Sequence, residues 1–156
     1  MISPIRASAV WSEMVAEVAR RKGEVLLKIS GGSMLPALWP GDLVTVRRCN
    51  FKELQPGQVV LFSNNGRLTV HRVMSVVDDH LVARGDALPS ADPPVKRPDL
   101  IGRVVKVQRG RKCMAVESRH WHKPLSWLLR GSGVSRRVTG ALVKKLGSLG
   151  AVEQSR

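Results

Sequence analysis

Between Glu24 and Val116 the sequence alternates short β-rich runs with turn-forming residues, and this rhythm constrains the chain more than anything else in it. The runs are VLLKI, DLVTVRR, VVLFS, RLTVHRVMSVV, HLVAR, LIGRVVKVQ and KCMAV. They are rich in β-branched residues, which crowd a helix but fit a pleated, half-buried surface. Asn65-Gly66, between VVLFS and RLTVHRV, is a strong tight-turn signal. Asp78-Asp79 can reverse the chain again before HLVAR. Seven such runs predict a mainly β fold, a compact antiparallel β-domain. Ala87–Pro98, with four prolines, cannot be a central strand and is expected to run as an ordered surface loop.

The flanks read differently. From Ala7 to Lys22 the residues Val10, Trp11, Met14, Val15 and Val18 recur at helical spacing until Gly23 ends the pattern. This predicts a short amphipathic helix whose apolar side packs on the β-body. After Glu117 the pattern is helical and basic, with Val134, Val138, Leu142 and Leu146 four residues apart among Arg136, Arg137, Lys144 and Lys145. The expected organisation is an N-terminal helix (1–23), a β-domain (24–117) and a basic helical C-terminal tail (118–156). At 156 residues the chain is long enough for one domain with a real core.

Charge is the extreme feature of the composition, at +14 overall. Residues 1–94 hold 11 Lys/Arg against 9 Asp/Glu, and residues 95–156 hold 15 against 3. The excess therefore belongs to the last third and suggests an acidic partner. An anionic membrane surface met by the tail is favoured over nucleic acid, because no nucleic-acid motif accompanies the charge. No apolar run is long enough to span a bilayer, and Glu13 and Glu17 interrupt the only candidate for a secretory signal. The expected location is cytoplasmic, with peripheral contact at a membrane. Cys49 and Cys113 are too few for a disulfide framework and are expected to be buried thiols. His120 and His122, flanking Trp121, do not make a metal site. No cofactor or metal is expected.

One set of residues suggests chemistry. A serine nucleophile needs an exposed hydroxyl, a neighbouring base and donors for an oxyanion. In SGGSMLPALWPGD, Ser33 follows Gly31-Gly32, where a substrate backbone can come close, and precedes Pro36 and Pro40-Gly41, which fix the chain. Alternation in RLTVHRV puts Thr69, His71 and Val73 on one face, with Leu68, Val70 and Arg72 on the other. Histidine titrates near neutrality, so His71 can serve as a general base. Asp86 closes HLVAR and Asp92 lies in the loop beyond; either could orient the imidazole.

The succession GGSMLPALWPGDLV, GQVVLF, TVHRV, ARGDALPSAD and LIGRVVKV resembles the type I signal peptidase family of the S24/S26 peptidase superfamily. It is most similar to the branch using Ser and His, found in the endoplasmic reticulum and in archaea. The resemblance covers roughly residues 29–108 and implies a signal-peptidase/repressor-peptidase β-domain. It also implies roles: Ser33 as nucleophile, His71 as base, Asp86 as the aspartate of a Gly-Asp motif and Asp92 as the residue completing the relay. Gly31, Gly32 and Met34 fall in the implied oxyanion and substrate-binding segment. Many members have a serine hydroxyl donor where Gly31 stands here, so the oxyanion would rely on the N–H of Ser33 and a neighbouring amide. The implied activity is serine endopeptidase cleavage of a leader or signal-type segment from a peptide or protein. Two other readings compete: a self-cleaving regulator of the repressor type, and a non-catalytic module whose tail binds membrane or nucleic acid.

Overall fold

The structure, a computed structural model, describes the backbone of residues 4–116 and the side chains from Ala9 onward. The basic tail expected over 118–156 lies outside the described residues. Helix α1 (Pro4–Lys22) is followed by β1 (Glu24–Lys28), β2 (Leu43–Arg47), β3 (Val59–Asn64), β4 (Arg67–Val77), β5 (His80–Arg84), β6 (Val95–Lys96), β7 (Leu100–Arg109) and β8 (Lys112–Ala115). All strand pairs are antiparallel, in the order β1-β2-β7-β3-β4-β5-β6, with β8 also beside β7. The mainly β fold with one N-terminal helix is therefore present.

Each of the seven β-rich runs becomes a strand. Asn65 and Gly66 both have positive φ, 50° and 76°, as the two-residue β3–β4 turn requires. The Pro-rich stretch departs from the expected plain loop. Val95 and Lys96 form β6 against β5, and Arg97–Asp99 make a single 3-10 turn. The prolines permit this because Val95 and Lys96 fall between Pro94 and Pro98 and keep their own N–H groups, in a strand at the sheet's edge. The cysteines also differ from expectation: Cys49 is half-buried and Cys113 is exposed.

The core lies on both faces of β3. Val59 and Leu61 join Met34, Leu38, Val44, Val46, Val104 and Val107 on one side. Val60 and Phe62 join Phe51, Val73, Leu81, Ala83 and Val95 on the other. This explains why VVLF is a continuous apolar run rather than an alternating one.

Helix α1 lies on the first of these clusters, but not through the expected face. Ser12, Val15 and Ala19 are buried, whereas Val10, Trp11, Met14 and Val18 remain 44% to 56% exposed. The physical reason is closeness of approach. A Cβ placed on Gly66 would lie 3.0 Å from the Ala9 Cβ, so the helix sits tightly on the β3–β4 turn. Only small residues fit there, and the Ser12 hydroxyl donates to the Ser63 hydroxyl at 2.9 Å. The helix ends at Gly23, whose φ of 77° lets its N–H donate to the Ala19 carbonyl at 3.0 Å.

Candidate active site

The turn carrying Ser33 joins β1 to β2. It is closed at its base by two backbone bonds: Ile29 N–H donates to the Asp42 carbonyl at 2.8 Å, and Gly41 N–H donates to that of Ile29 at 2.7 Å. Within it, Leu35 N–H donates to the Gly32 carbonyl and Leu38 N–H to that of Met34. These bonds leave the N–H groups of Ser33 and Met34 outside the turn's own pattern, as at the start of any helical turn. Met34 and Leu38 are almost wholly buried. Each such side chain contributes about 1.5–3 kcal/mol to holding the turn down. The Met34 side chain thus belongs to the core, and only its backbone faces the site.

A second fastener comes from the far end of β7. The Arg109 guanidinium donates to both carboxylate oxygens of Asp42, at 2.8 and 2.6 Å, and to the Ala37 carbonyl at 3.2 Å. It also lies 5.7 Å over the Trp39 ring. Asp42 accepts from the Trp39 N–H at 2.8 Å as well. Burial pushes the Asp42 carboxyl up, but the bonds from Arg109 and Trp39 outweigh it and hold the carboxyl below its usual range.

The histidine comes from β4. His71 pairs with Val60 of β3, is 5% exposed, and meets the Phe62 ring edge-on at 6.2 Å. His71 Nε2 lies 3.0 Å from Ser33 Oγ, and Nδ1 lies 2.6 Å from Asp92 Oδ2. A carboxylate can only accept, so Nδ1 carries the hydrogen and Nε2 is left to accept from the Ser33 hydroxyl. Asp92 is held in place by its own N–H, which donates to the Ala83 carbonyl at 2.8 Å.

Ser33, His71 and Asp92 are thus brought into one chain of hydrogen bonds, and Asp86 is not part of it. The Asp86 carboxylate takes two bonds from Arg72, at 2.8 and 2.6 Å. Arg72 also donates to the Gly57 carbonyl at 2.8 Å. The neighbour of His71 on the opposite face of β4 is therefore tied to the start of the loop that delivers Asp92. Among the described residues no group of His, Cys, Asp or Glu is arranged to hold a metal ion.

A model of the Peptidase S24-like family matches residues 4–105, well over half of the chain. The chain belongs to the Peptidase S24-like family. A comparison with curated proteins found no match. Membership places the chain in the S24/S26 peptidase superfamily, and the β-domain is consistent with that fold.

In this S24-like domain three contributors to the site were not singled out from the sequence. Gly85 lies so close that a Cβ would stand 2.6 Å from the Ser33 carbonyl oxygen and 3.0 Å from His71 Nε2. The same Ser33 carbonyl accepts from Ala87 N–H at 2.9 Å. Only glycine lets the β5 end approach the serine turn this closely. Arg72 and Arg109 are the other two, and a sequence gives no sign of which acids they meet. Gly32 has a steric role, since a Cβ there would be 3.2 Å from Leu35 Cδ1, while one on Gly31 would meet nothing within 4 Å.

Proposed function

We propose that this protein is a serine endopeptidase in which Ser33 is the nucleophile, His71 the general base and Asp92 the residue that orients and stabilises the imidazole. The observation behind this reading is the unbroken chain from Ser33 Oγ through both nitrogens of His71 to Asp92, at 3.0 and 2.6 Å. His71 removes the hydroxyl proton as Ser33 Oγ attacks a peptide carbonyl. Its imidazolium then gives that proton to the departing amine, leaving an acyl-enzyme that water hydrolyses. The N–H of Ser33, with that of Met34 beside it, would stabilise the oxyanion, each such donor contributing about 3–4 kcal/mol. Asp86 acts at one remove, through Arg72.

The substrate follows from the resemblance to signal peptidases and from the fold. It would be an extended leader or signal-type segment with small residues before the cut. Among the described residues β1 pairs with β2 alone and leads directly to the Ser33 turn, so such a segment would add at its other edge. Full-length protein incubated with a leader-type peptide should cleave it. Ser33→Ala and His71→Ala should each lower kcat at least about a thousandfold. Full activity in Ser33→Ala would refute the mechanism.

Self-cleavage is the second reading, favoured by the family match itself. It predicts cutting of the chain's own backbone at a rate unchanged by dilution. Cleavage only of an added peptide would set it aside.

A further inference from the structure

We infer that the outward face of α1 is a docking surface for an anionic lipid bilayer, with the helix lying in the plane of the interface. Val10, Met14 and Val18 follow one another at four-residue intervals, and Trp11 lies beside them. All four project from the body, although this helix already has a separate buried face of Ser12, Val15 and Ala19. Apolar side chains thus occupy two arcs of one helix, and only one is used by the fold. At these exposures the outer stripe amounts to on the order of 400 Å², within the range of patches that serve a function on soluble proteins.

The surroundings of the stripe select its partner. Arg21 and Lys22 lie three and four residues beyond Val18 and close the C-terminal end of the stripe, while Glu13 and Glu17 lie along its edge away from the buried face. At the same end of the helix, Lys22, Arg47 and Arg48 line one open groove together with Glu24 and Glu53. Arg48 is fixed there by its N–H, which donates to the Gly23 carbonyl at 2.8 Å. Of the two acids, Glu24 lies 3.7 Å from Arg47, and Glu53 accepts from the Asn50 side chain at 2.7 Å. On the helix, Glu17 is held by Arg20 and Arg21 together, which keeps its carboxyl below the usual range. An apolar stripe containing a tryptophan, ended by the cations of the last helical turn and of the adjoining groove, matches a lipid interface with negative head groups.

Two other occupants fit less well. A stripe of this size is about half of the ~800 Å² that each partner buries in a stable protein interface, which disfavours a second copy of the chain. A spanning role fails too, because no described helix is long and apolar enough to cross a membrane.

The experiment is co-sedimentation of the full chain with vesicles of neutral phospholipid, with and without an added anionic phospholipid. The wild type should bind the anionic vesicles and lose binding as salt is raised. Val10→Ser/Trp11→Ser/Met14→Ser should bind about tenfold or more weakly, and so should Lys22→Glu/Arg48→Glu. Ser33→Ala should bind like the wild type, which separates this surface from the peptidase reading. Equal binding by the triple serine variant would overturn the proposal, as would equal binding to neutral vesicles. In the absence of lipid, the triple variant should keep the wild-type melting temperature and sedimentation coefficient. A large fall in melting temperature would mean that the chain itself covers the stripe. A dimer dispersed by the substitutions would mean that a second copy does. Either result would refute lipid docking.

Discussion

Two ion pairs stand on either side of the Ser33–His71 contact and fasten its two halves differently. Arg72–Asp86 is enclosed on both sides, its side chains 8% and 11% exposed. Arg109–Asp42 is enclosed on one side only: the carboxylate is 2% exposed and the guanidinium 42%. The first pair lies inside the β4–β5 region that carries the base. The second reaches over the nucleophile turn from the surface. A doubly buried pair gains little from replacing water but loses heavily when broken, because the surviving charge cannot rehydrate. The Arg109 side chain can rehydrate where it stands. The His71 side of the site is therefore held by an all-or-nothing contact and the Ser33 turn by a yielding one.

The most severe way to break this contrast is Asp86→Ala, which strands Arg72 in the interior. It should lower unfolding stability by about 3–5 kcal/mol in urea titrations. Much of that loss should return in the Arg72→Met/Asp86→Leu double variant, where no charge is left unpaired. If Asp86→Ala costs no more than a surface substitution, the two pairs do not differ as described.

Asp42→Asn should cost less, about 1–2 kcal/mol at neutral pH, since Arg109 recovers water. Acid sharpens this test. The Asp42 carboxyl is held below its ordinary value in the folded state, so its stabilisation is fully present above the ordinary carboxylate pKa. It fades as pH falls through the lower, folded value. The gap between wild type and Asp42→Asn should stay constant above about pH 5 and close at lower pH. A gap that widens in acid would contradict the role given to Arg109.

The smallest effect belongs to a third, fully surface pair. Arg20→Ala, which removes one partner of Glu17, should leave the urea midpoint where it is in the wild type. A lowered midpoint would show that exposure is a poor guide to how these pairs differ.

How far the sequence foretold this molecule depends on the range of the interactions concerned. Strands and hairpin turns were legible because alternation and Asn65-Gly66 are local signals. Ser33 and His71 stood out less through their neighbours than through the order of motifs shared with signal peptidases, since a serine in a Gly/Pro-rich loop or a histidine in a strand is an ordinary feature by itself. Between Asp86 and Asp92 the residues alone left the choice open and only the resemblance pointed to Asp92, because the choice turns on the path taken after β5 and on Arg72, which claims Asp86. The packing face of α1 was misread because the size of apolar side chains was the only guide. The fold instead asked for Ala9 against Gly66 and Ser12 against Ser63 at the β3–β4 turn, with Val15 and Ala19 in the core cluster. Asp42 carried no local signal of its role, since its partner lies 67 residues away.

That last separation bears on when the protein becomes active. The His71 contacts to Asp92 and Ser33 close loops of 21 and 38 residues, and the Asp42–Arg109 pair closes the longest. Such non-local closures come late in folding and make it slow. A chain emerging from the ribosome has its serine long before it has β7 to clamp the turn. On the peptidase reading proposed above, catalytic competence and completion of the sheet would then arrive together, so a nascent or half-folded copy would be silent toward the extended chains around it.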